Sequence, residues 1–426
     1  MKYKTLSQEE TFNYFNNLNA SKYHYANNND ICTPMECVKE MVDWIPDSFY
    51  SQDVKILDPC CGNGNFLAYI LTKFKDKDAA LKNNLFFNEI NDKRIENIYD
   101  YFGKEINLTK KDFLAYNEPS YKRTLYDLIV MNPPFALFMD NGKRAAKNHG
   151  ISKDFINKSL DLLKPNGYLL FIVPDNFMSL SDSNNTFWEL SFYDIKVINI
   201  HRPKKYFKGV GSSFVYLLLQ LKTDKGNTKI LNGYVKEDED NVFIEQTHFL
   251  PLYYNSTVKS ILSKTIYSNF EKYKVETSSD LHKFTKSKLL ADKQDSKHPF
   301  RVIHTPGNYV YSEKPHKFQE GWKCFIPTTT YFKPFIDDCG MTQSIAFIRT
   351  SSKDEAINIC NILNDSLYVF INNITRFGNF NNIRILQMLP MCPVGVNPKE
   401  YFKLSKDEID CIDSFMSIKV SINMNI

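Results

Sequence analysis

The chain has 426 residues, of which 43% are hydrophobic, 14% aromatic and 24% charged. This length is more than one compact core usually organises, so it predicts two domains, and the apolar content argues against disorder. The longest apolar runs, residues 168–174 and 214–219, are too short to cross a bilayer, and the polar start lacks the apolar segment of a signal peptide. Nine scattered cysteines without disulfide or zinc-finger spacing indicate reduced thiols, no metal site and a cytoplasmic location.

The formal net charge of +4 is unevenly distributed along the chain. Residues 251–426 hold 22 Lys+Arg and 17 Asp+Glu, a net of +5, whereas the remaining residues have a net of −1. Basic and aromatic side chains also interleave in that part, at residues 304–322, 328–335 and 376–384. The pattern favours a polyanionic partner for the C-terminal part, although a solvated surface can show the same small excess.

The first predicted strand, residues 54–57, runs into the turn Asp58-Pro59-Cys60-Cys61-Gly62-Asn63-Gly64, and an apolar helix pattern follows. Strand, glycine turn and helix form the first unit of a nucleotide-binding α/β domain, where glycines let the backbone approach a ligand. A bare Gly-x-Gly is weak evidence, but the acid and proline before it make this turn more specific. Upstream, Thr33-Pro34 with Glu36 predicts the capped start of another helix.

Acidic residues end the next two predicted strands. Residues 85–88 lead to Glu89, which is placed to bind both hydroxyls of a ribose, with a solvated strand-end carboxylate as the alternative. Residues 106–111 lead to Asp112-Phe113, where the carboxylate can accept from an exocyclic amine and the ring can cover a purine. Without the other motifs, Asp112 and Phe113 would be weak evidence for a binding site.

The fourth predicted strand, residues 126–131, is apolar and runs directly into Asn132-Pro133-Pro134-Phe135. Two consecutive prolines cannot extend a central ladder, so the strand must end there. Their fixed φ angles hold the Asn132 amide and the Phe135 ring at the carboxyl end of a strand, which is where open α/β sheets bind ligands. An ordinary strand-to-loop turn is the alternative.

Further strands complete the series, and they are predicted at residues 168–173, 194–200 and 214–221. A basic loop over residues 139–153 precedes them and contains Lys143 and Arg144, which can contact phosphates or simply be solvated. Phe207 lies in an aromatic and glycine-containing segment just before the last of these strands.

Taken in order, these motifs strongly resemble the gamma-class, TaqI-like adenine-N6 DNA methyltransferases. The resemblance runs through residues 31–222, and over residues 235–426 it rests only on size, position and composition. It implies an α/β, Rossmann-like seven-stranded S-adenosylmethionine-dependent methyltransferase fold with an antiparallel last strand. The expected organisation is an N-terminal arm (1–30), a catalytic domain (31–222), a linker (223–234) and a C-terminal α+β target-recognition domain (235–426). The linker is predicted from its Lys-Gly-Asn and Asn-Gly steps, which are typical of turns.

The resemblance also implies the role of each site residue. The expected cofactor-binding residues are Thr33, Asp58, Cys60, Gly62, Gly64, Glu89, Asp112 and Phe113. The expected catalytic residues are Asn132, Pro133, Pro134 and Phe135. The Asn132 side chain and the Pro133 carbonyl would accept the two amine hydrogens of a flipped adenine, and Phe135, where the family often has Tyr, would stack on that base. Phe207 would support the base from its other side, and Lys143 and Arg144 would contact DNA.

We therefore expect a sequence-specific DNA methyltransferase that transfers a methyl group from S-adenosylmethionine to adenine N6, as a restriction-modification or host or viral DNA-marking enzyme. The expected partner is double-stranded DNA, with no membrane and with room for a cognate restriction endonuclease, and the protein is expected to act as a monomer. RNA-adenine and protein-glutamine N-methyltransferases are alternatives, because their planar nitrogens need the same activation. A catalytically silent DNA-binding homologue is a third, and cytosine-N4 methylation ranks lower.

Overall fold

The structure is a computed structural model, and it describes residues 1–20, 31–115, 124–135, 150–181, 186–208, 210–378 and 380–423. The predicted DNA contacts Lys143 and Arg144 lie outside these residues. The chain divides into two compact units. The first comprises Met1–Phe177 and Asn185–Thr247, and the second comprises Met178–Asn184 and His248–Ile426.

The first unit is built on one large sheet. Its strands are β1 (Ile56–Asp58), β2 (Leu85–Asn88), β3 (Asn107–Thr109), β4 (Tyr126–Met131), β5 (Leu163–Pro174), β6 (Asp194–Ile200), β7 (Phe214–Gln220), β8 (Thr228–Asn232) and β9 (Asp238–Val242). They lie in the order β3-β2-β1-β4-β5-β7-β6-β8-β9. Strands β1 to β5 pair in parallel, and β7 is antiparallel to both of its neighbours. This order confirms the predicted Rossmann-like methyltransferase fold.

Helices cover this sheet and share its apolar core. They are α1 (Gln8–Ala20), α2 (Met35–Val42), α3 (Asn65–Leu71), α4 (Lys77–Asn83), α5 (Asp92–Phe102), α6 (Ile151–Asp161) and α7 (Thr186–Leu190). The central strands β4, β5 and β7 have buried apolar runs, as expected for a sheet with both faces covered. The core of apolar side chains extends from Phe15 in α1 to Leu231 in β8.

Two predicted boundaries need correction. The proposed linker, residues 223–234, contains β8, which pairs in parallel with β6, and β9 then pairs antiparallel with β8. Ile230 and Leu231 of β8 are buried. The sheet therefore has nine strands instead of the predicted seven, and β8 covers the edge that β6 would otherwise expose. The described part of the predicted N-terminal arm, residues 1–20, also belongs to this unit, because Tyr3 and Phe15 are buried in its core.

The second unit combines short sheets with helices, in agreement with the expected α+β character. One sheet has the order β10 (Glu276–Thr277), β17 (Ile345–Arg349), β14 (Lys323–Pro327), β15 (Phe335–Asp337). The other has the order β11 (Leu290–Ala291), β13 (Asn308–Ser312), β12 (Phe300–Thr305), β16 (Gly340–Met341). The helices are α8 (Ser256–Lys264), α9 (Lys353–Leu363), α10 (Ser366–Ile374), α11 (Ile383–Leu386), α12 (Pro398–Tyr401) and α13 (Lys406–Asn423). Across the described ranges of the chain, no helix has the length and apolarity that crossing a membrane requires.

Candidate active site

A cleft opens where the carboxyl ends of β1, β2 and β4 meet, and we call it the strand-end cleft. The chain reverses its direction of strand addition between β1 and β4, which is where α/β sheets bind ligands. The cleft is open to solvent at its mouth, so a ligand can enter it. Of the residues predicted from the sequence, it is lined by Thr33, Asp58, Cys60, Gly62, Glu89, Asp112, Phe113, Asn132, Pro133, Pro134 and Phe135.

The glycine turn after β1 is held in a conformation that side chains disfavour. Gly62 has φ +58° and Gly64 has φ +93°. A Cβ on Gly64 would lie 2.8 Å from Cε2 of Phe102, so this glycine packs against α5 and does not line the strand-end cleft. At Gly62 no atom lies within 4 Å of the Cβ position, and its N–H donates to Oε2 of Glu89 at 2.9 Å. This hydrogen bond fixes the turn to Glu89, which directly follows β2.

Glu89 is a buried carboxylate held by backbone donors. Its Oε1 accepts from the N–H groups of Ile90 and Asn91 at 2.8 and 2.9 Å, and Arg94 lies 3.9 Å from Oε2. Burial raises the pKa of Glu89, although these donors and Arg94 oppose the shift. Complete burial raises the pKa of Asp58 well above its ordinary value; the hydrogen bond from the Cys60 N–H opposes this shift and the charge of Glu89 adds to it. Two buried carboxyls of raised pKa favour a ligand that brings positive charge or hydroxyl donors.

Asp112 and Phe113 line the cleft beyond β3. Asp112 is exposed, and its Oδ1 accepts from the N–H of Leu114 at 2.9 Å, which orients the carboxylate. The Phe113 ring packs against Phe155 of α6, with centroids 5.2 Å apart. An oriented acceptor beside an aromatic face is suited to a purine with an exocyclic amine.

The Asn132 amide has a defined orientation. Its Nδ2 donates to the carbonyl of Ile31 at 2.6 Å and to Oγ1 of Thr33 at 3.0 Å. A backbone carbonyl can only accept, so the nitrogen must face Ile31 and the oxygen must face away from it. That oxygen, Oδ1, is buried and has no hydrogen-bond partner among the described residues. An unsatisfied buried acceptor costs about 1–3 kcal/mol, which a donor from a ligand can recover.

The backbone of the Asn-Pro-Pro-Phe turn is also anchored on both sides. The Cys60 thiol donates to the carbonyl of Asn132 at 3.6 Å, and the Ser152 hydroxyl donates to the carbonyl of Pro134 at 2.9 Å. These contacts connect the Asn-Pro-Pro-Phe turn to the turn after β1 and to α6. Two prolines and two tertiary hydrogen bonds therefore restrict its backbone conformation.

Phe135 and Phe207 belong to one aromatic cluster, with Phe214 of β7 between them. The ring centroids of Phe135 and Phe214 are 5.8 Å apart, and those of Phe207 and Phe214 are 4.4 Å apart. Phe135 is partly exposed and lines the strand-end cleft, whereas Phe207 is buried and does not line it. The structure therefore places Phe207 behind the cleft wall rather than on its surface.

Sequence reasoning missed Asn65, the first residue of α3. It lines the strand-end cleft and is 5% exposed, and its Nδ2 donates to the carbonyl of Thr33 at 2.8 Å. Both the carbonyl and the hydroxyl of Thr33 are thus acceptors for cleft amides. A polar residue between Gly64 and an apolar helix face was the sequence signal for Asn65.

Sequence reasoning also missed Glu40 of α2, which connects separate elements of the first unit. Its carboxylate accepts from Nδ2 of Asn199 at 2.7 Å and from the hydroxyls of Tyr206 and Tyr216. Tyr206 ends the 3-10 turn Arg202–Tyr206, immediately before Phe207. Glu40 therefore connects the helix that follows Thr33 to the segment that carries Phe207.

Part of the chain matches a known protein family. Residues 10–207 match the model of the family described as Eco57I restriction-modification methylase, which confirms the resemblance to restriction-modification methyltransferases. The Type II methyltransferase M.VspI of Vibrio sp. (strain 343) is 29% identical over 169 residues, which are 35% of this chain and 38% of that protein. M.HincII of Haemophilus influenzae is 26% identical over 250 residues, which are 53% of this chain and 44% of that protein. The chain thus spans less than half the length of these relatives.

Solved structures support the fold over nearly the whole chain. A nuclease-deletion mutant of the Type ISP restriction-modification enzyme LlaGI, in complex with a DNA substrate mimic, has a TM-score of 0.55 at 13% identity. That similarity covers 90% of this chain and 54% of the other. A DrdV–DNA complex gives a TM-score of 0.54 at 12% identity, covering 94% of this chain and 59% of the other.

Proposed function

We propose that the chain is a DNA methyltransferase of the restriction-modification type that transfers the methyl group of S-adenosylmethionine to N6 of adenine. The observation that carries this proposal is Asn132. Its amide is fixed by Ile31 and Thr33, so that Oδ1 is a preoriented acceptor with no partner among the described residues. The family match over residues 10–207 supports the reaction class.

The residues of the strand-end cleft fit S-adenosylmethionine. The Glu89 carboxylate would accept from the ribose hydroxyls, and Asp112 with Phe113 would bind the adenine ring and its amine. Thr33 and the turn after β1 would lie beside the methionine part.

The target adenine must be activated for transfer, because the lone pair of N6 is delocalised into the ring. Acceptance of the two amine hydrogens by Asn132 Oδ1 and the Pro133 carbonyl would favour a pyramidal nitrogen with a directed lone pair. S-adenosylmethionine, when bound, would supply the methyl group: the bond from the methyl carbon to N6 would form as its bond to sulfur breaks, sulfur would leave as a neutral thioether, and one amine proton would pass to solvent. The contribution of the protein is positioning and preorganised polarity.

Access to N6 requires that the base leave the duplex, which costs a few kcal/mol. Stacking on the exposed face of Phe135 can offset roughly 1–3 kcal/mol of that cost. Phe207 would act indirectly in this scheme, since it packs on Phe214 and supports the wall behind Phe135.

The test is transfer of labelled methyl groups to duplex DNA, followed by digestion and identification of the modified nucleoside. We expect N6-methyladenine, loss of transfer in Asn132→Ala with retained S-adenosylmethionine binding, and normal transfer in Asn241→Ala, whose side chain is exposed on β9. N4-methylcytosine as the product would replace the adenine assignment. Transfer to RNA or to a glutamine peptide alone would favour those alternatives, and DNA binding without any transfer would favour a silent homologue. The monomeric state and a cognate endonuclease stay predictions.

A further inference from the structure

Two basic and aromatic segments of the second unit are joined by one buried asparagine. The backbone N–H of Asn381 donates to the carbonyl of Thr328 at 2.8 Å. Its Nδ2 donates to the carbonyls of Pro327 and Thr330 at 2.7 and 3.0 Å, and its Oδ1 accepts from Asn372 at 3.0 Å. Asn381 is 3% exposed, so these bonds are shielded from water. We call the joined residues 328–333, 376–378 and 380–384 the paired-loop surface.

This surface presents two aromatic rings to solvent. Tyr331 is 64% exposed and Phe380 is 65% exposed, although the neighbours Phe332 and Asn381 are buried. Buried neighbours fix the backbone on which the exposed rings stand. Exposed apolar groups mark interaction sites when they form a contiguous patch, and the hydrogen bonds of Asn381 hold the two segments that carry these rings side by side.

The chain segments that form the paired-loop surface are basic in sequence. Residues 327–336 and 374–388 contain Lys333, Arg376 and Arg384 and no Asp or Glu. The Arg376 guanidinium lies 5.1 Å from the centroid of the Tyr331 ring. Aromatic platforms combined with cations are the groups that bind unstacked nucleic-acid bases and their phosphates.

A second cation over a ring in the same unit has acidic neighbours in the sequence. Lys353 lies 4.7 Å from the centroid of the Trp322 ring, but Asp354 and Glu355 follow it in the sequence. The local charge there is negative, so this pair lacks the complementarity to a polyanion that the paired-loop surface has.

We propose that the paired-loop surface binds DNA, with Tyr331 and Phe380 stacking on bases where the duplex is opened and with Arg376, Lys333 and Arg384 contacting phosphates. This inference rests on the proposed function, since a methyltransferase that extracts a base must hold a locally unstacked duplex. Aromatic residues that enter a base stack bend or open it, and cations beside them neutralise the backbone.

The experiment measures binding of the full chain to a fluorescein-labelled duplex taken from a DNA region that the wild-type protein methylates, over a series of salt concentrations. Tyr331→Ser and Phe380→Ser are each expected to weaken binding about five- to 150-fold without changing the salt slope. Arg376→Gln is expected to reduce the slope of log K against log salt by about 0.9, the value for one phosphate contact. Lys353→Gln and Val394→Ser, the latter at a 62% exposed apolar position, serve as matched controls and should change neither quantity.

Unchanged binding in all three surface variants, in a wild-type protein that methylates DNA, would overturn this inference and leave the proposed function intact. A wild-type protein that neither binds nor methylates DNA would refute the proposed function itself. Equal binding of polyglutamate, sensitive to Arg376→Gln but not to the aromatic variants, would assign the surface to an acidic protein and also overturn the inference. If Phe380→Ser lowers the melting temperature, Phe380→Leu tests the same point with the apolar volume retained.

Discussion

The Thr33→Val substitution tests whether orientation of the Asn132 amide drives transfer. In the structure Oγ1 of Thr33 accepts from Nδ2 of Asn132 at 3.0 Å, and the carbonyl of Ile31 accepts from the same nitrogen at 2.6 Å. Valine replaces the hydroxyl with a methyl group of similar size. Thr33 is 3% exposed, so water has little access to replace the lost acceptor.

The contacts set the size of the effect. Leaving one N–H of a buried amide without an acceptor costs about 1–3 kcal/mol. Ile31 still binds the nitrogen, so the amide keeps its overall orientation, and the lost hydrogen bond should cost about 1–2 kcal/mol. If that loss is felt in the transition state, the rate of transfer decreases roughly 5- to 30-fold.

The assay is single-turnover methyl transfer at saturating S-adenosylmethionine, with cofactor affinity measured separately by calorimetry because Thr33 also lines the strand-end cleft. Thr33→Ser retains the hydroxyl and should stay close to the wild-type rate. A wild-type rate in Thr33→Val, or an equal loss in both variants, would refute the reasoning that the hydroxyl orients Asn132.

Three further expectations concern stability. Glu40→Ala leaves three neutral side-chain donors without their shared acceptor and should lower the free energy of unfolding by about 1–3 kcal/mol for each donor that stays buried and unsatisfied, measured by urea denaturation, with a smaller loss in Glu40→Gln. Gly64→Ala places a Cβ 2.8 Å from Phe102 at φ +93° and should cost about 1–3 kcal/mol or more by the same measurement, whereas Gly62→Ala, with no neighbour within 4 Å, should cost less. Burial raises the pKa of Glu89. Relative to Glu89→Gln, the wild-type protein should therefore be most stable below the ordinary carboxyl pKa of about 4 and lose that advantage as pH rises through the raised pKa.

The strand ends could be predicted from local sequence because each motif follows a short apolar run. Parallel strands bring their carboxyl ends to one edge, so Asp58, Glu89 and Asn132 were expected to meet without any knowledge of packing. The structure does bring them to one cleft. The antiparallel last strand of the expected fold came from the family resemblance, and β7 is antiparallel to both of its neighbours.

The partners of these residues could not be predicted, because they depend on contacts between distant segments. Asn132 is about a hundred residues from Ile31 and Thr33, and Glu40 is more than 150 residues from Asn199. Nothing in the local pattern of α2 distinguishes Glu40 from a solvated helical carboxylate. Only tertiary packing decides which polar side chains are buried together.

The domain boundary was wrong for a related reason. Lys-Gly-Asn and Asn-Gly steps around β8 predict turns and therefore a linker, but the short strand between them covers the edge of β6. The segment Met178–Asn184 is grouped with the second unit although it interrupts the first in sequence. The composition along the chain does not indicate that this short segment is grouped with the second unit.

The contact with Ile31 also explains why an amide, rather than a carboxylate, occupies position 132. In Asn132→Asp an oxygen would face the Ile31 carbonyl at about the 2.6 Å that Nδ2 now spans, and two acceptors at that distance repel each other. A protonated carboxyl could donate to Ile31 and still present an acceptor to the substrate. We therefore expect Asn132→Asp to be inactive at neutral pH and to recover part of the single-turnover rate as pH falls, each rate being normalised to the wild-type protein at the same pH. Full activity at neutral pH would mean that the Ile31 contact does not determine the orientation of this side chain.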